Sequence, residues 1–245
     1  FGTTGEAPPV FAQAGSAELV YVAWEPPAPQ SVAMVVPQHR EIRTLGDLRG
    51  RRIALNKGSH VHWLLLQILE EAGLGLNDVK VVYIPPKYPL TASDYLAVDA
   101  WMMWDPLLSD AEHTGELRVV ASGEGRVHNH QFYLSRRDYV NHNGDIMQRL
   151  LHELTQTGQF IDSRREEAAG LLAAELGINV DSLALALARR SHRPRMMDLK
   201  VIRAQQTIAD RFYALGLIGK PVSVREAVWY GEAAHSDLSL LLHAD

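Results

Sequence analysis

A candidate anion-binding turn lies where a short apolar run gives way to a helix. The run covers Arg52–Leu55, and after the next turn apolar residues recur at helical spacing until Gly73, which predicts a strand followed by a helix. The first backbone N–H groups of a helix have no partner inside it, and the positive end of the helix dipole lies behind them. Gly58, Ser59 and His60 are therefore candidate ligands for a phosphate, sulfate, sulfonate or carboxylate.

The same junction also permits a purely structural interpretation. Strand–glycine–serine–helix junctions are frequent in α/β proteins, and a serine at the position of Ser59 can serve only to cap its own helix. The chain has neither a Walker lysine pattern nor a full dinucleotide glycine fingerprint, which disfavours nucleotide binding. In the functional interpretation, His60 donates a further hydrogen bond to the anion.

Two tryptophans, Trp101 and Trp104, lie within four positions and are followed by Asp105 and Pro106. Alternation along a strand places the two indole rings on opposite faces. One interpretation is a buried strand with aromatic core residues. In the other, Trp104 lies at the mouth of a cleft and covers the organic part of a ligand, and Asp105 tethers the opposite wall. We include Trp104 and Asp105 among the candidate ligand-binding residues.

Catalytic and metal-binding patterns are weak. His60 and His62 point in different directions on a helix, and His128 and His130 have no third ligand at a recognisable spacing. The chain has no cysteine, and it lacks a G-x-S-x-G elbow and paired carboxylates in a convincing frame. We therefore expect no bound metal, no cofactor and no enzymatic activity.

Composition is compatible with a binding protein of two lobes. A chain of 245 residues exceeds a typical single domain, and its hydrophobic content of 47% is ample for a core. The net charge of -5 argues against a nucleic-acid partner. The lack of cysteine excludes a disulfide framework, and no run approaches the about 18 apolar residues of a membrane span.

A set of segments spread along the chain carries a family resemblance. The segments are Phe1–Ala14, Leu48–Ala54, Lys57–Ser59, Val98–Trp101, Trp104–Pro106, His130–Leu134, Gln205–Tyr213 and Trp229. In this order they resemble the aliphatic sulfonate-binding proteins of bacterial ABC importers. The resemblance implies an α/β, two-lobed periplasmic binding protein fold with two hinge crossings and a ligand cleft between the lobes. It also implies a periplasmic monomer that binds a sulfonate and delivers it to a membrane permease for sulfur acquisition.

The resemblance extends the candidate site to the first lobe. Thr3 and Thr4, in a turn between a strand and a helix, are expected to meet Gly58, Ser59 and His60 around one oxyanion. Nitrate-, taurine- and thiamine-precursor-binding relatives share the scaffold, so the resemblance indicates the family better than the ligand. Alternatives are another small anion such as taurine or nitrate, a pyrimidine-precursor synthesis enzyme, or the sensor domain of a regulator.

Lobe boundaries follow from the order of elements. Strands are predicted over Leu19–Ala23 and Val32–Pro37, and the proline-rich passage between them is predicted to be one crossing. Phe132–Ser135 is predicted to be the other, so lobe I covers residues 1–32 and 133–245 and lobe II covers residues 33–132. A capping box over Ser163–Glu166 predicts a helix that ends before Gly177. Further helices are predicted over Ile146–Thr157, Val180–Arg189 and Lys200–Leu215.

Three features depart from the family pattern. A family member would have roughly a further strand, helix and strand before Phe1, including a polar residue that reaches the ligand, so we expect the chain to begin within lobe I. Lys87–Leu96 lies where the family usually has an alanine-rich helix, which Pro89 would disturb. The tail Tyr230–Asp245 matches no part of the pattern, and neither segment is assigned a role.

Overall fold

The structure is a computed structural model, and it describes residues 1–84 and 97–231. The segment Lys87–Leu96 lies outside the described residues, and so does the tail from residue 232 onward. The strands of the described part are β1 (Gly2–Thr4), β2 (Leu19–Glu25), β3 (Val32–Pro37), β4 (Arg52–Leu55), β5 (Lys80–Tyr83), β6 (Ala100–Trp104), β7 (Leu117–Ser122), β8 (Gln131–Arg136) and β9 (Arg195–Met196).

Helices occupy much of the remaining described chain. They are α1 (Ala7–Ala14), α2 (His60–Glu71), α3 (Leu107–Thr114), α4 (Arg137–His142), α5 (Gly144–Ser163), α6 (Arg165–Leu176), α7 (Val180–Ala188) and α8 (Leu199–Ala214). Short 3-10 turns cover Pro29–Ser31, Leu45–Leu48, Leu76–Asp78 and Val224–Ala227. In residues 1–84 and 97–231, no helix combines the length and the apolar character needed to cross a bilayer.

Contacts divide the chain into two compact units. The first unit contains residues 1–26, 131–157 and the described chain from residue 193 onward, and the second contains residues 27–130 and 158–192. The first division coincides with the predicted proline-rich crossing. The second division falls between His130 and Gln131. Phe132–Ser135, predicted to be the second crossing, follows it within β8, where these residues pair with β1 and β2; its role as a crossing stays a prediction.

The compact units differ from the predicted lobes over residues 158–192, which the sequence assigned to lobe I. In the structure this segment belongs to the second unit, because α7 packs against α3. The hydroxyl of Ser182 on α7 donates a hydrogen bond to Asp110 on α3. Arg189, directly after α7, forms ion pairs with Asp105 and Glu112. The assignment of residues 1–32 and 133–245 to lobe I and of residues 33–132 to lobe II stays a prediction.

The second unit is built on a five-stranded sheet in the order β5-β4-β6-β3-β7. Strand β4 is parallel to both β5 and β6, whereas β3 is antiparallel to β6 and β7. The predicted strands Val32–Pro37 and Arg52–Leu55 are confirmed at both ends. Alternation in β6 is also confirmed, because Trp101 and Met103 are buried in one apolar cluster with residues of β3, β4, β7 and α3.

The first unit contains a four-stranded antiparallel sheet in the order β1-β8-β2-β9. The predicted strand Leu19–Ala23 is confirmed and continues to Glu25 as β2. One face of β2 packs on α4 and α5 through a cluster of apolar side chains. Its buried members are Val20, Val22, Val140, Met147 and Trp229.

The helix predictions hold except at one boundary. The predicted helices over residues 146–157, 180–189 and 200–215 correspond to α5, α7 and α8. The predicted capping box at Ser163–Glu166 is wrong, because Ser163 is the last residue of α5 and its hydroxyl donates to the carbonyl of Gln159 at 2.8 Å. Helix α6 begins at Arg165 without a side-chain cap and ends before Gly177, as predicted.

A close approach at Gly123 yields a stability prediction. Its N–H donates to the carbonyl of Val32, and an added Cβ would lie 2.5 Å from the carbonyl oxygen of Pro29. We expect Gly123→Ala to lower the free energy of unfolding by about 1–3 kcal/mol in urea titrations, because overpacking forces the neighbouring chain to shift. Gly170→Ala is the control. It lies within α6 with no heavy atom near the added Cβ, and it should stabilise by roughly 0.5–1 kcal/mol. Similar effects in both variants would contradict the assigned close approach.

Candidate functional site

The turn between β4 and α2 has the backbone geometry predicted for an anion site. Gly58 has φ +73°, a left-handed conformation that glycine adopts without strain. Ser59 is the N-cap residue and α2 begins at His60. The N–H groups of His60 and Val61 have no acceptor among the described residues. These two N–H groups can therefore bind an incoming anion at the positive end of the helix dipole.

The hydroxyl of Ser59 has a different partner from the one the sequence suggested. It makes no side-chain cap to α2, and it donates to the carbonyl of Asn56 at 2.7 Å. A hydroxyl has a single proton to donate. Ser59 must therefore give up its bond to Asn56 before its hydroxyl can donate to a ligand.

His60 and Trp104 lie side by side, which the sequence could not establish. Their ring centroids are 5.1 Å apart with an interplanar angle of 64°. The contact follows from topology, because β4 and β6 are parallel neighbours and their carboxyl ends lie at the same edge of the sheet. Trp104 is partly exposed whereas Trp101 is buried at 7% exposure. The two interpretations of the tryptophan pair thus apply to different residues: Trp101 belongs to the core, and Trp104 is available to a ligand.

Arg190 is a candidate site residue that the sequence analysis missed. It lies two residues beyond α7, and its Nη2 donates to the hydroxyl oxygen of Ser31 at 3.2 Å. Burial, and then the positive charge of Arg190, lower the pKa of His60 to about 3. The imidazole is therefore neutral near pH 7 and retains one N–H donor. An arginine pair at a helix end was visible in the sequence, but nothing in its spacing connected Arg190 with His60.

Asp105 has a structural role in the described chain. Its carboxylate accepts from the backbone N–H of Ser109 at 2.9 Å, within the first turn of α3. It also forms an ion pair of 3.3 Å with Arg189. The predicted tethering role of Asp105 thus has a defined partner in Arg189, and both contacts lie within the second unit. A direct contact between Asp105 and a ligand stays a prediction.

The candidate residues of the first unit lie at the end of an edge strand. Thr3 and Thr4 close β1, where they pair with Tyr133 and Phe132 of β8. The side-chain amide of Gln131 donates to the hydroxyl oxygen of Thr3. Helix α1 begins three residues after Thr4. Both threonines are therefore the last residues of β1 itself, whereas the sequence analysis expected them in the turn between a strand and a helix. Their contact with a ligand stays a prediction.

The histidine pairs do not form a metal site in the described structure. Within residues 1–84 and 97–231, no group of three or more histidine, aspartate or glutamate side chains could hold a metal ion. The rings of His128 and His130 contact each other at a tilt of 36°, with ring centroids 5.0 Å apart. His62 on α2 is buried, and its ring contacts the ring of Tyr83.

Comparison with known proteins covers nearly the whole chain. The family model described as NMT1/THI5 like matches residues 5–168. A curated relative from Escherichia coli (strain K12), named for aliphatic sulfonate binding, is 37% identical over 232 residues, which cover 93% of this chain and 72% of the relative. A relative of the same name from Bacillus subtilis (strain 168) is 24% identical and covers 93% of this chain and 69% of its own length.

Solved structures confirm the predicted α/β periplasmic binding protein fold. The alkanesulfonate-binding protein SsuA from Xanthomonas axonopodis pv. citri, bound to MOPS, is 37% identical with a TM-score of 0.84. The periplasmic aliphatic sulphonate binding protein SsuA from Escherichia coli is 37% identical with a TM-score of 0.85. Each match covers 93% of this chain and 79% of the solved chain. The desulfurization enzyme DszB shares the fold at 19% identity and a TM-score of 0.67.

Burial of Asp105 predicts an unusual dependence of stability on pH. Burial outweighs the effect of Arg189 and raises the pKa of Asp105 from 3.8 to about 6. At a pH between these two pKa values, Asp105 holds a proton in the folded state that it has lost in the unfolded chain. The contribution of Asp105 to stability therefore falls as the pH rises from about 4 to 6. We expect the unfolding free energy of the wild type to lose up to about 3 kcal/mol relative to Asp105→Asn across that window.

Urea unfolding of both proteins at intervals from pH 4 to pH 7.5 measures this difference. The asparagine variant serves as the reference because its side chain does not titrate. Curves that run parallel over the whole range would show that Asp105 has an ordinary pKa.

Proposed function

The chain belongs to the NMT1/THI5-like family, and we propose that it is a periplasmic solute-binding protein that captures aliphatic sulfonates for an ABC importer. The observation that carries the proposal is 37% identity over 93% of the chain with two solved proteins whose names state sulfonate binding. One of them is named as periplasmic. The family model, which matches residues 5–168, includes both the α2 turn and β6 with their candidate site residues.

The second unit supplies donors suited to a sulfonate head. The N–H groups of His60 and Val61 point away from the start of α2, and the neutral imidazole of His60 retains one donor. Arg190 adds a positive charge close enough to perturb the pKa of His60. Backbone donors and one guanidinium match a sulfonate, which is a strong acceptor with three equivalent oxygens.

An indole ring beside these donors suits the organic tail. Trp104 contacts His60 edge to face, so a ligand whose head lies at the α2 turn has an aromatic surface within reach. Apolar contact with Trp104 stabilises an alkyl chain by about 25 cal/mol for each Å² that is removed from water. Inorganic anions gain nothing from this surface, and the arrangement therefore favours a sulfonate that carries an alkyl chain over sulfate or nitrate.

We propose that Thr3 and Thr4 also contact the sulfonate through their hydroxyl groups. Both lie ahead of α1 in a short strand whose position is held by its pairing with β8. Hydroxyl donors add contacts to the anion without a further full cation beside Arg190, and this weaker attraction favours release of the ligand to a permease. We expect the protein to act as a monomer, without a nucleic-acid partner and without a cofactor.

The proposal assigns binding without catalysis. The matched relatives and the two solved proteins at 37% identity are named as binding proteins. DszB is an enzyme on the same fold, so sulfite release from a sulfonate or sulfinate is the activity to exclude. Incubation with ethanesulfonate and an aromatic sulfinate should yield no sulfite, and release at a rate above that of the buffer would contradict this part of the proposal.

Isothermal titration tests the function directly. Ethanesulfonate and longer alkanesulfonates should bind more tightly than sulfate or nitrate, because only the former present both a sulfonate head and an apolar tail. Taurine tests whether the site accepts an ammonium group on the tail. The absence of binding heat and of a thermal shift with every sulfonate would contradict the proposal.

Two substitutions separate recognition of the head from recognition of the tail. Ser59→Ala should weaken all sulfonates similarly. The sequence alone suggested a loss of about 1.5–3 kcal/mol for a charge-assisted hydrogen bond, but the existing bond from Ser59 to Asn56 reduces our expectation to about 0.5–1.5 kcal/mol. Trp104→Ala should weaken long or aromatic sulfonates more than methanesulfonate, because only the longer tail loses apolar contact.

Dissociation constants across a series of chain lengths measure both effects. Trp101→Ala is the matched control for the tail, because Trp101 lies on the opposite face of β6 within the core. It should lower stability without changing the preference for chain length. A loss in Trp104→Ala that does not depend on tail length would assign Trp104 to the core as well.

A further inference from the structure

A closed network of polar contacts connects Trp104 with Arg190. Asp105, which follows Trp104, forms an ion pair with Arg189, which precedes Arg190. The backbone N–H of Asp105 donates to the carbonyl of Ser31 at 3.0 Å. The hydroxyl oxygen of the same serine accepts from Arg190. The sequence neighbours of the two site residues are thus bonded to each other, and both sides of the network meet at Ser31.

The hydroxyl of Ser31 has all of its hydrogen-bonding capacity in use. It donates to the carbonyl of Ala28 at 2.8 Å and accepts from the amide of Asn129 at 2.9 Å, besides the bond from Arg190. Ser31 is 2% exposed and Asn129 is 2% exposed. A hydroxyl has one donor and two acceptor positions, so no rotation of this group is available without the loss of a bond. Burial makes such a loss costly, which fixes the orientation of the donors around it.

Arg189 completes the network from the side of the helices. It joins Asp105 and Glu112 at once, and its side chain is 15% exposed. A planar guanidinium that contacts two carboxylates has few alternative orientations. The end of α7 is therefore held against α3 at the point where Arg190 leaves the helix.

We propose that Arg189 and Ser31 are positioning residues. They hold the side chains of Arg190 and Trp104 where these can contact the sulfonate, and they do not contact it themselves. The proposal rests on the proposed function, because it assigns head and tail recognition to these two residues. Loss of either positioning residue should leave the ligand-contacting groups in the chain but allow them to move. Affinity then falls although no contact with the ligand has been deleted.

Ligand affinity should also depend on pH through Asp105. The charged groups that face its carboxylate are Arg189 from the end of α7 and Glu112 from α3. Because the pKa of Asp105 is raised to about 6, acidification below that value neutralises the carboxylate and weakens its attraction to Arg189. Sulfonates stay ionised throughout this range, and the pKa of His60 lies near 3. A change in affinity between pH 5 and pH 7.5 would therefore report on the network.

The test compares Arg189→Gln with Arg126→Gln by titration of ethanesulfonate at pH 7.5. Arg126 pairs with Glu71 at 2.6 Å in the same unit, at the far end of α2 from His60. We expect Arg189→Gln to raise the dissociation constant roughly three- to tenfold, equivalent to one hydrogen bond, and Arg126→Gln to change it by less than about twofold. Equal affinity in the wild type and Arg189→Gln overturns the proposal.

Ser31→Ala provides a second variant if Arg189→Gln does not fold. Its control is Thr114→Val, which removes a hydroxyl that donates to the carbonyl of Ala111 at the opposite end of α3 from Asp105. Ser31→Ala should weaken binding to a similar extent while Thr114→Val does not. Unchanged binding in Ser31→Ala likewise overturns the proposal.

The pH profile distinguishes positioning from a general loss of stability. Wild-type affinity should fall between pH 7.5 and pH 5 with a midpoint near the pKa of Asp105, and Arg189→Gln should show no such transition. A transition of equal size in Arg189→Gln contradicts the proposal. If the wild type binds no sulfonate at any pH, the proposed function itself fails. If the wild type binds and Arg189→Gln binds equally well, only the positioning proposal fails.

Discussion

A buried hydroxyl group that must satisfy three partners at once constrains the second unit at the edge of its sheet. Ser31 lies where β3 begins, and its hydrogen bonds join Ala28, Asn129 and Arg190. Inside a protein the loss of any of these hydrogen bonds costs free energy, because water cannot replace the missing partner there. The chain segments on either side of β3 are thus fixed relative to the end of β6, where Trp104 lies.

The same edge of the sheet explains why one short region collects so many candidate residues. Strands β4 and β6 run parallel, so the turn before α2 and the turn before α3 leave the sheet in the same direction. Strand β3 is antiparallel to β6 and pairs Val32 with Trp104. Its beginning therefore meets the end of β6. The parallel strands β4 and β6 and the antiparallel strand β3 thereby bring together the turn before α2, the turn before α3 and the turn before β3.

Local patterns in the sequence were sufficient for the strands and helices near this edge. The alternation around Trp101 and the apolar spacing after Ser59 predicted β6 and α2, because each depends on which residues face the core. The capping box at Ser163 failed because the hydroxyl bonds to the preceding helix, and sequence spacing does not distinguish the two directions. Arg190 was missed for a related reason: its contact with Ser31 spans 159 positions, and no local pattern encodes it.

The fold and the degree of sequence identity support different conclusions about function. DszB, an enzyme, shares the architecture at 19% identity, so the backbone arrangement alone is compatible with both binding and catalysis. The sequence identity of 37% to named sulfonate-binding proteins means that many side chains, and not only the backbone, are shared with them. The donors at the α2 turn and the indole beside them are the groups to which the proposed function assigns recognition of the ligand. The Asp105–Arg189 pair supports the scaffold behind them.

The burial of the tryptophans gives the protein an optical property. Trp24, Trp63, Trp101 and Trp229 are each less than 10% exposed, whereas Trp104 is partly exposed. Buried indoles emit at shorter wavelength than indoles in contact with water, so the long-wavelength edge of the intrinsic fluorescence originates at Trp104. A solute that covers this ring displaces water from it and shifts that edge of the spectrum toward the blue. Binding at Trp104, as the proposed function assigns it, would therefore be visible in the intrinsic fluorescence without an attached dye.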